Sequence, residues 1–403
     1  MKKLSIRDVD VKGKRVLTRV DFNVPLDSDK NITDETRIVE SLPTIRSIVE
    51  RGGRLILMSH LGRPRGKRDP ELSLAPVAYR LAELVNAPLR FVEECVGEGV
   101  EERAQALRDG EVLLLENLRY HAEEEQNDAG FARRLAALGE VYVNDAFGTA
   151  HRAHASTVGV TEFISTRAAG LLMEKELAAL GGALHDPAHP FVALLGGAKI
   201  DGKINLIKSL LDRVDVLLVG GGMMYTFIKS TGLEVGRSIA DDRYHDMCRD
   251  LLDRTKKRKS RLLLPVDTIV AEEIDSDAPT REVSTADIPE DWIGVDIGPR
   301  TVDLFKNEIN KARTVFWNGP MGIFEKPSFA EGTKAMARAV ADATGRGAKT
   351  IVGGGDSVAA INLMGIGDRF THISTGGGAS LEFMEGRVLP GVEALADVAE
   401  VKG

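Results

Sequence analysis

Six apolar runs in this chain stop in the same manner, breaking directly into glycine or into Asp, Asn, Arg and His. They are RVLTRVDFNV, RLILMSHLGRP, VYVNDAFG, VLLVGGGM, VFWNGPMG and TIVGGGDS. A short apolar run bounded by turn residues reads as a strand buried on both faces of a parallel sheet. In open α/β sheets, ligands sit in the crevice beyond the carboxyl ends of such strands. The pattern therefore predicts both a fold class and the edge of the sheets that does chemistry.

At 403 residues the chain exceeds one ordinary core, and two domains are expected. Strands alternate with helical stretches at 37–50, 73–86 and 128–138, which implies βαβ units. Residues 166–184 carry apolar positions at spacings of three and four and read as a helix. Strand signals then resume to the end of the chain. The expectation is an N-terminal α/β domain over 1–165, a connecting helix over 166–185, and a C-terminal α/β domain over 186–390. A tail, 391–403, returns to the N-terminal domain. Both domains are Rossmann-like with mostly parallel sheets, and the helix between them permits hinge bending.

The formal net charge of −8 argues against a nucleic-acid partner, which demands a basic stripe. Two cysteines, Cys95 and Cys248, make no disulfide framework or CxxC motif and read as ordinary thiols of a reducing compartment. The first fifteen residues lack an apolar core for export, and no run approaches the roughly 20 apolar residues that span a bilayer. A cytoplasmic protein without membrane contact is expected.

The two halves finish their strands differently. In the first, Asp21 and Asn23 stand together at a strand end, and His60 and Arg63 follow another. Arg37, Arg119 and Arg152 complete a basic set suited to bidentate recognition of carboxylate and phosphate. Each alone also fits a plain turn or a solvated arginine. His151 and His154 flank Arg152, but no metal-binding spacing accompanies them.

In the second half, glycine clusters at 220–222, 353–355 and 376–378 let phosphates approach backbone N–H groups. The stretch GGAKIDGKI imitates a phosphate-cradling GxxxxGK loop, yet Ile204 stands where Ser or Thr must meet Mg2+. Lys199 and Lys203, spaced i,i+4, would put two cations on one face of a helix beginning at this stretch. Asp356 and Ser357 open a further helix, where a carboxylate either caps the helix or holds a metal.

Taken in order, RVDFNVP, SHLGRP, ENLRY, NDAFGTAHRAHAS, GGAKIDGKI, GGGM, FWNGPMGIFE, GGGDS and STGGGAS resemble the phosphoglycerate kinase family, from Val16 to about Gly391. The resemblance implies reversible phosphoryl transfer between 1,3-bisphosphoglycerate and ADP, giving 3-phosphoglycerate and ATP with Mg2+. It implies that Asp21, Asn23, Arg37, His60, Arg63, Arg119 and Arg152 hold the glycerate substrate. Arg37 and Lys199 would act on the transferred group. Lys203, Gly221, Gly294, Asn318, Glu325, Gly353, Gly354, Gly355, Asp356 and Ser357 would line the nucleotide site, with Asp356 on Mg2+. A monomer is expected.

Two other readings compete. A regulatory protein could keep the fold and lose turnover, but Arg37, Lys199, Lys203 and Asp356 all stand. A nicotinamide-dependent dehydrogenase would need GxGxxG with an acidic residue downstream, and none of the glycine clusters supplies it.

Overall fold

The apolar runs form strands buried along nearly their whole length. Val112–Leu115, Val141–Asn144, Phe191–Leu195 and Val216–Val219 have no accessible position. A computed structural model describes residues 2–256, 259–275 and 278–398 of the chain. They divide into two compact units, one built from residues up to 178 together with 388–398, the other from residues 179–387. The division falls inside a helix.

The first unit contains β1 (Arg15–Arg19), α1 (Thr36–Glu50), β2 (Arg54–Met58), α2 (Ala75–Leu84), β3 (Leu89–Val92) and α3 (Glu98–Gln105). It continues with β4 (Val112–Leu115), α4 (Ala122–Glu125), α5 (Ala129–Ala136), β5 (Val141–Asn144), β6 (Arg167–Ala169) and the start of α6 (Leu171–His185). Its sheet has the order β3-β4-β2-β1-β5-β6, and every pairing is parallel. From β1 the chain moves through β2 to the edge strand β3, turns back to insert β4 between β3 and β2, and then crosses to β5 on the other side of β1. The reversal puts the crevice of this sheet beyond the ends of β1 and β5.

The second unit repeats the arrangement. Its sheet orders His372–Ile373, Lys349–Gly353, Thr314–Asn318, Phe191–Leu195, Val216–Val219 and Arg261–Leu263, all parallel. The direction reverses between Phe191–Leu195 and Thr314–Asn318. The fully buried Phe316 and Trp317 lie on the latter strand. Burying a Phe-sized side chain is worth about 1.5–3 kcal/mol, so the switch-point strand is also an anchor.

Two local features differ from the sequence reading, which takes RLLLPVDTIV as one strand and 166–184 as one helix. The run RLLLPVDTIV is two strands, because Pro265 has no N–H to continue a ladder. Arg261–Leu263 joins the large sheet, whereas Asp267–Ala271 pairs antiparallel with Thr280–Ser284 and Ile293–Ile297 in a separate three-stranded sheet. The segment expected as a helix from residue 166 opens with β6, and α6 begins only at Leu171. The final residues pair with the first ones: Leu4 N–H donates to the Ala396 carbonyl at 2.8 Å and Lys3 meets Asp397 at 3.1 Å.

The start of α6 is fixed by a side chain from elsewhere. Asp145, fully buried after β5, accepts from Leu172 N at 2.9 Å and Met173 N at 3.1 Å. This carboxylate satisfies otherwise orphaned helix N–H groups and faces the positive end of the helix dipole. A Cβ on Gly170 would lie 2.1 Å from Asp145 Oδ1, so only glycine fits between them. Farther along α6, a Cβ on Gly182 meets nothing within 4 Å. Gly170→Ala should therefore destabilise by about 1–3 kcal/mol, while Gly182→Ala should stabilise by about 0.5–1 kcal/mol through helix propensity. Urea unfolding of both variants checks the pair, and equal effects would contradict the assigned crowding.

Candidate functional site

In the first unit the expected residues converge. Asp21, just beyond β1, pairs with Arg37 Nη1 of α1 at 2.8 Å. His60, beyond β2, lies 3.9 Å from the same carboxylate. Asn23 Oδ1 accepts from Gly62 N at 2.8 Å, and Arg119 Nη1 donates to Gly62 O at 2.8 Å. Loops after β1, β2 and β4 are thereby tied at one backbone position. Arg63 and Arg152 are exposed. Arg152 Nε donates to His151 Nε2 at 3.3 Å, and Arg63 has no side-chain partner among the described residues.

Sequence reasoning missed the residue at the centre of this set. Arg19, the last residue of β1, is 1 % exposed. Its Nε donates to Ser156 Oγ at 2.8 Å, Nη1 to the Val20 carbonyl, and Nη2 approaches His60 Nδ1 at 3.0 Å. Ser156 Oγ in turn donates to Glu124 Oε1 at 2.6 Å, and Ser156 N donates to Glu124 Oε2 at 3.0 Å. A guanidinium only donates, so His60 Nδ1 is the acceptor and Nε2 carries the proton. Burial and the charges of Arg19, Arg119 and Arg37 hold His60 well below its usual pKa. His154, buried nearby, is pushed down to about 4 by burial, with Arg19 and Arg119 adding to it. Both histidines are neutral. The signal available in sequence was Arg19 two positions before Asp21, a charge inside an apolar strand.

In the second unit, loops follow four strands around the switch point. The lysine pair does not sit as expected. The helix begins at Ile204, with Lys203 as its capping residue, because Gly202 takes a left-handed φ of +77° that ends the preceding turn. Lys199 lies before it in the loop, exposed. Lys203 is half-buried and its Nζ donates to the Gly196 carbonyl. Burial pushes its pKa down to about 8, opposed by the charge of Asp356.

Glycines here are dictated by close approach. Gly221 has φ +62°, and a Cβ would lie 2.5 Å from Gly197 N. Gly354 has φ +90°, and a Cβ would lie 2.6 Å from Asn318 Nδ2. That Asn318 Nδ2 is buried without a hydrogen-bond partner among the described residues. Ser357 Oγ accepts from Gly319 N at 2.6 Å. Asp356 is exposed in the first turn of Gly355–Met364 and has no salt bridge among the described residues. Its free oxygens suit a hard cation that keeps most of its waters.

A cavity of about 540 Å³ opens here, lined by Gly221, Gly294, Glu325 and Asp356 among the expected residues, with Gly197 beside them. Lys199, Lys203, Asn318, Gly353, Gly354, Gly355 and Ser357 lie outside its lining. Sequence reasoning missed its apolar wall, where Tyr225, Ile239, Ile293 and Met321 stand. Those residues sit in ordinary-looking hydrophobic stretches, so no local signal singled them out.

The family model for phosphoglycerate kinase matches residues 6–387. The chain belongs to the phosphoglycerate kinase family. A phosphoglycerate kinase of Chlorobium chlorochromatii is 58% identical over 395 residues, covering 98% of this chain and 100% of that protein. One from Chlorobaculum tepidum is 58% identical over 397 residues, with the same coverage. The solved phosphoglycerate kinase of Coxiella burnetii superposes with a TM-score of 0.88 at 39% identity, covering 97% of this chain and 98% of that one. That of Pyrococcus horikoshii gives 0.84 at 33%, with the same shares covered. Membership makes the chain a phosphotransferase with a carboxyl group as acceptor, as its nine motifs implied. Among the described residues, no helix is long and apolar enough to cross a membrane.

The cavity also contains a carboxyl group with an unusual proton affinity. Asp296 accepts from Gly332 N at 2.6 Å and Ile297 N at 2.9 Å, yet burial pushes its pKa up to about 7 from 3.8. Folding therefore favours its protonated form. That contribution to stability is complete below pH 4 and is lost as pH rises through 7. Asp296→Asn cannot ionise, so its melting temperature relative to wild type should climb between pH 4 and 8. Thermal scans of both proteins across that range check this, and a constant difference would show that Asp296 titrates normally.

Proposed function

We propose that this chain catalyses reversible, Mg2+-dependent transfer of a phosphoryl group between 1,3-bisphosphoglycerate and ADP, giving 3-phosphoglycerate and ATP. The observation that carries the reading is the set of cations around a neutral histidine in the first unit. Arg37, Arg119 and Arg19 gather there, with Asn23 and Asp21 as hydroxyl partners. Such a set suits a small acid bearing a carboxylate, a hydroxyl and a phosphate. His60, neutral with its proton on Nε2, would donate a hydrogen bond to a phosphate oxygen without titrating.

In the ATP-consuming direction the nucleophile is a carboxylate, already ionised at neutral pH. No base has to create it. The barrier falls through positioning and through charge placed where the phosphoryl oxygens gain it. Arg37 would serve from the glycerate side, relinquishing part of its pairing with Asp21. Lys199, exposed and unpaired among the described residues, would follow the phosphoryl group in flight. Lys203 would hold nucleotide phosphates, and their charge would raise its pKa from about 8 and keep it cationic. Asn318 Nδ2, buried without a partner among the described residues, would donate to a phosphate oxygen.

Gly353, Gly354 and Gly355 would present backbone N–H groups to phosphates, with Ser357 bracing the adjoining turn. Gly221 and Gly294 would admit the nucleotide closely, and Glu325 would meet the ribose. Mg2+ bound with the nucleotide would neutralise phosphate charge, and Asp356 would be the carboxylate that holds it. In-line transfer needs reacting atoms about 3–3.5 Å apart, so ligands carried by different units meet only through hinge bending. One chain supplies both ligand sites, so a monomer suffices. A reducing cytoplasm suits the two free cysteines, Cys95 and Cys248.

A coupled assay with 3-phosphoglycerate and ATP should show turnover that depends on Mg2+; none under saturating ligands would overturn the assignment. Arg37→Ala should lower kcat by ~10²–10³ and leave ADP affinity unchanged. Lys203→Ala should instead weaken ADP binding by about tenfold or more, the loss of a charge-assisted hydrogen bond. Calorimetry and steady-state kinetics on the two variants separate the roles, and a weakened ADP affinity in the Arg37 variant would contradict them.

A further inference from the structure

A second group of chemically active side chains lies at the β3 edge of the first sheet, outside the phosphoryl-transfer machinery. Glu94 and Cys95 follow β3, and His121 follows the turn Leu118–Tyr120 after β4. Their ligating atoms, a carboxylate oxygen, the Cys95 sulfur and a ring nitrogen of His121, all lie within 4.8 Å of one another. His121 Nε2 and Glu94 Oε1 are 2.6 Å apart. The imidazole is held by its packing on Phe131, with ring centroids 4.9 Å apart. Cys95 is fully buried, whereas Glu94 is exposed and His121 half-buried, so the group opens to solvent on its oxygen side. Parallel strand ends bring these residues together; their spacing in sequence matches no metal motif.

We propose that Glu94, Cys95 and His121 form a binding site for a borderline-soft divalent cation of the zinc class. One sulfur, one nitrogen and one oxygen donor make the mixed set such ions prefer, and hard Mg2+ avoids it. Tetrahedral zinc with bonds near 2.0–2.3 Å needs its ligand atoms roughly 3.3–3.8 Å apart. Sulfur moves inward and the Glu94–His121 contact opens, each by about an ångström or less. A water completes the four ligands.

In the metal-free protein the Cys95 thiol donates to the Glu116 carbonyl at 3.0 Å. Binding replaces that S–H bond with a sulfur–metal bond, and the released proton passes to solvent. The imidazole proton moves from Nε2 to Nδ1, leaving Nε2 as the ligand. The carboxylates of Glu94, Glu116 and Glu124 put negative charge around the sulfur, which draws a cation toward it. No oxidant or reductant is involved.

Cobalt titration tests the site directly, because thiolate coordination to Co2+ gives a charge-transfer absorption in the near ultraviolet that Mg2+ sites do not. The whole protein, in excess Mg2+, should develop this band to one equivalent of Co2+, and Zn2+ should bleach it. Cys248→Ser should retain the band, which leaves Cys95 as the sulfur donor. Cys95→Ser should abolish it. His121→Gln should weaken Co2+ binding by more than about tenfold, since it removes a direct ligand. If Cys95→Ser fails to fold, the Cys248→Ser and His121→Gln results decide the matter together. A band absent from the wild type, lost in Cys248→Ser, kept in Cys95→Ser, or unaltered in His121→Gln would overturn the proposal.

Discussion

Arg19 carries a full positive charge at a position almost sealed from water, and the architecture of the first ligand site depends on how that charge is satisfied. A buried ion costs several kcal/mol unless its hydrogen bonds and charge are met. Here they are met by the loop bearing Ser156, by the Val20 carbonyl and by His60, with Glu124 behind Ser156. Segments from β1, β2, α4 and the stretch after β5 are held together by one guanidinium. It also selects the tautomer of His60 and suppresses its protonation, so a histidine amid arginines adds no further charge. Cations can then crowd together without a ligand, because Asp21 and Glu124 offset them.

The second unit solves the opposite problem. Its ligand is expected to bring the charge, and the protein supplies approach rather than side-chain fixation. Gly221 and Gly354 stand where any Cβ would collide with backbone or with Asn318. Asn318 Nδ2 remains buried and unsatisfied among the described residues, a cost of about 1–3 kcal/mol that a phosphate oxygen would remove. The apolar wall formed by Tyr225, Ile239 and Met321 offers a flat base a place to bury its faces.

Most of the fold was legible because parallel strands buried on both faces leave strong, continuous signals. β6 and Thr280–Ser284 were harder. Three residues of β6 show no period, and the antiparallel sheet begins at Asp267, two residues past Pro265, inside an apolar run that reads as one strand. For the candidate site, the sequence singles out polar residues at strand ends, such as Asp21, Asn23 and His60, which the fold brings together with Arg37. Arg19 is not among them, since its role comes from burial beside Ser156, 137 positions away in sequence. Lys199 and Lys203 do not share a helix face, because the turn at Gly202 holds the helix start back to Ile204, with Lys203 as its cap and Lys199 in the loop before it. The group of Glu94, Cys95 and His121 is tertiary altogether.

The account rests on charge and positioning doing the work, with no proton transferred as the phosphoryl group moves. A single-turnover measurement in H2O and in D2O, with ATP and 3-phosphoglycerate prebound and Mg2+ added to start, addresses that claim directly. The account predicts equal rates in the two solvents, since the nucleophile is a carboxylate ionised beforehand and His60 keeps its proton. A slowing in D2O of roughly twofold or more, the mark of a proton in flight at the transition state, would contradict it and call for a general base among these residues.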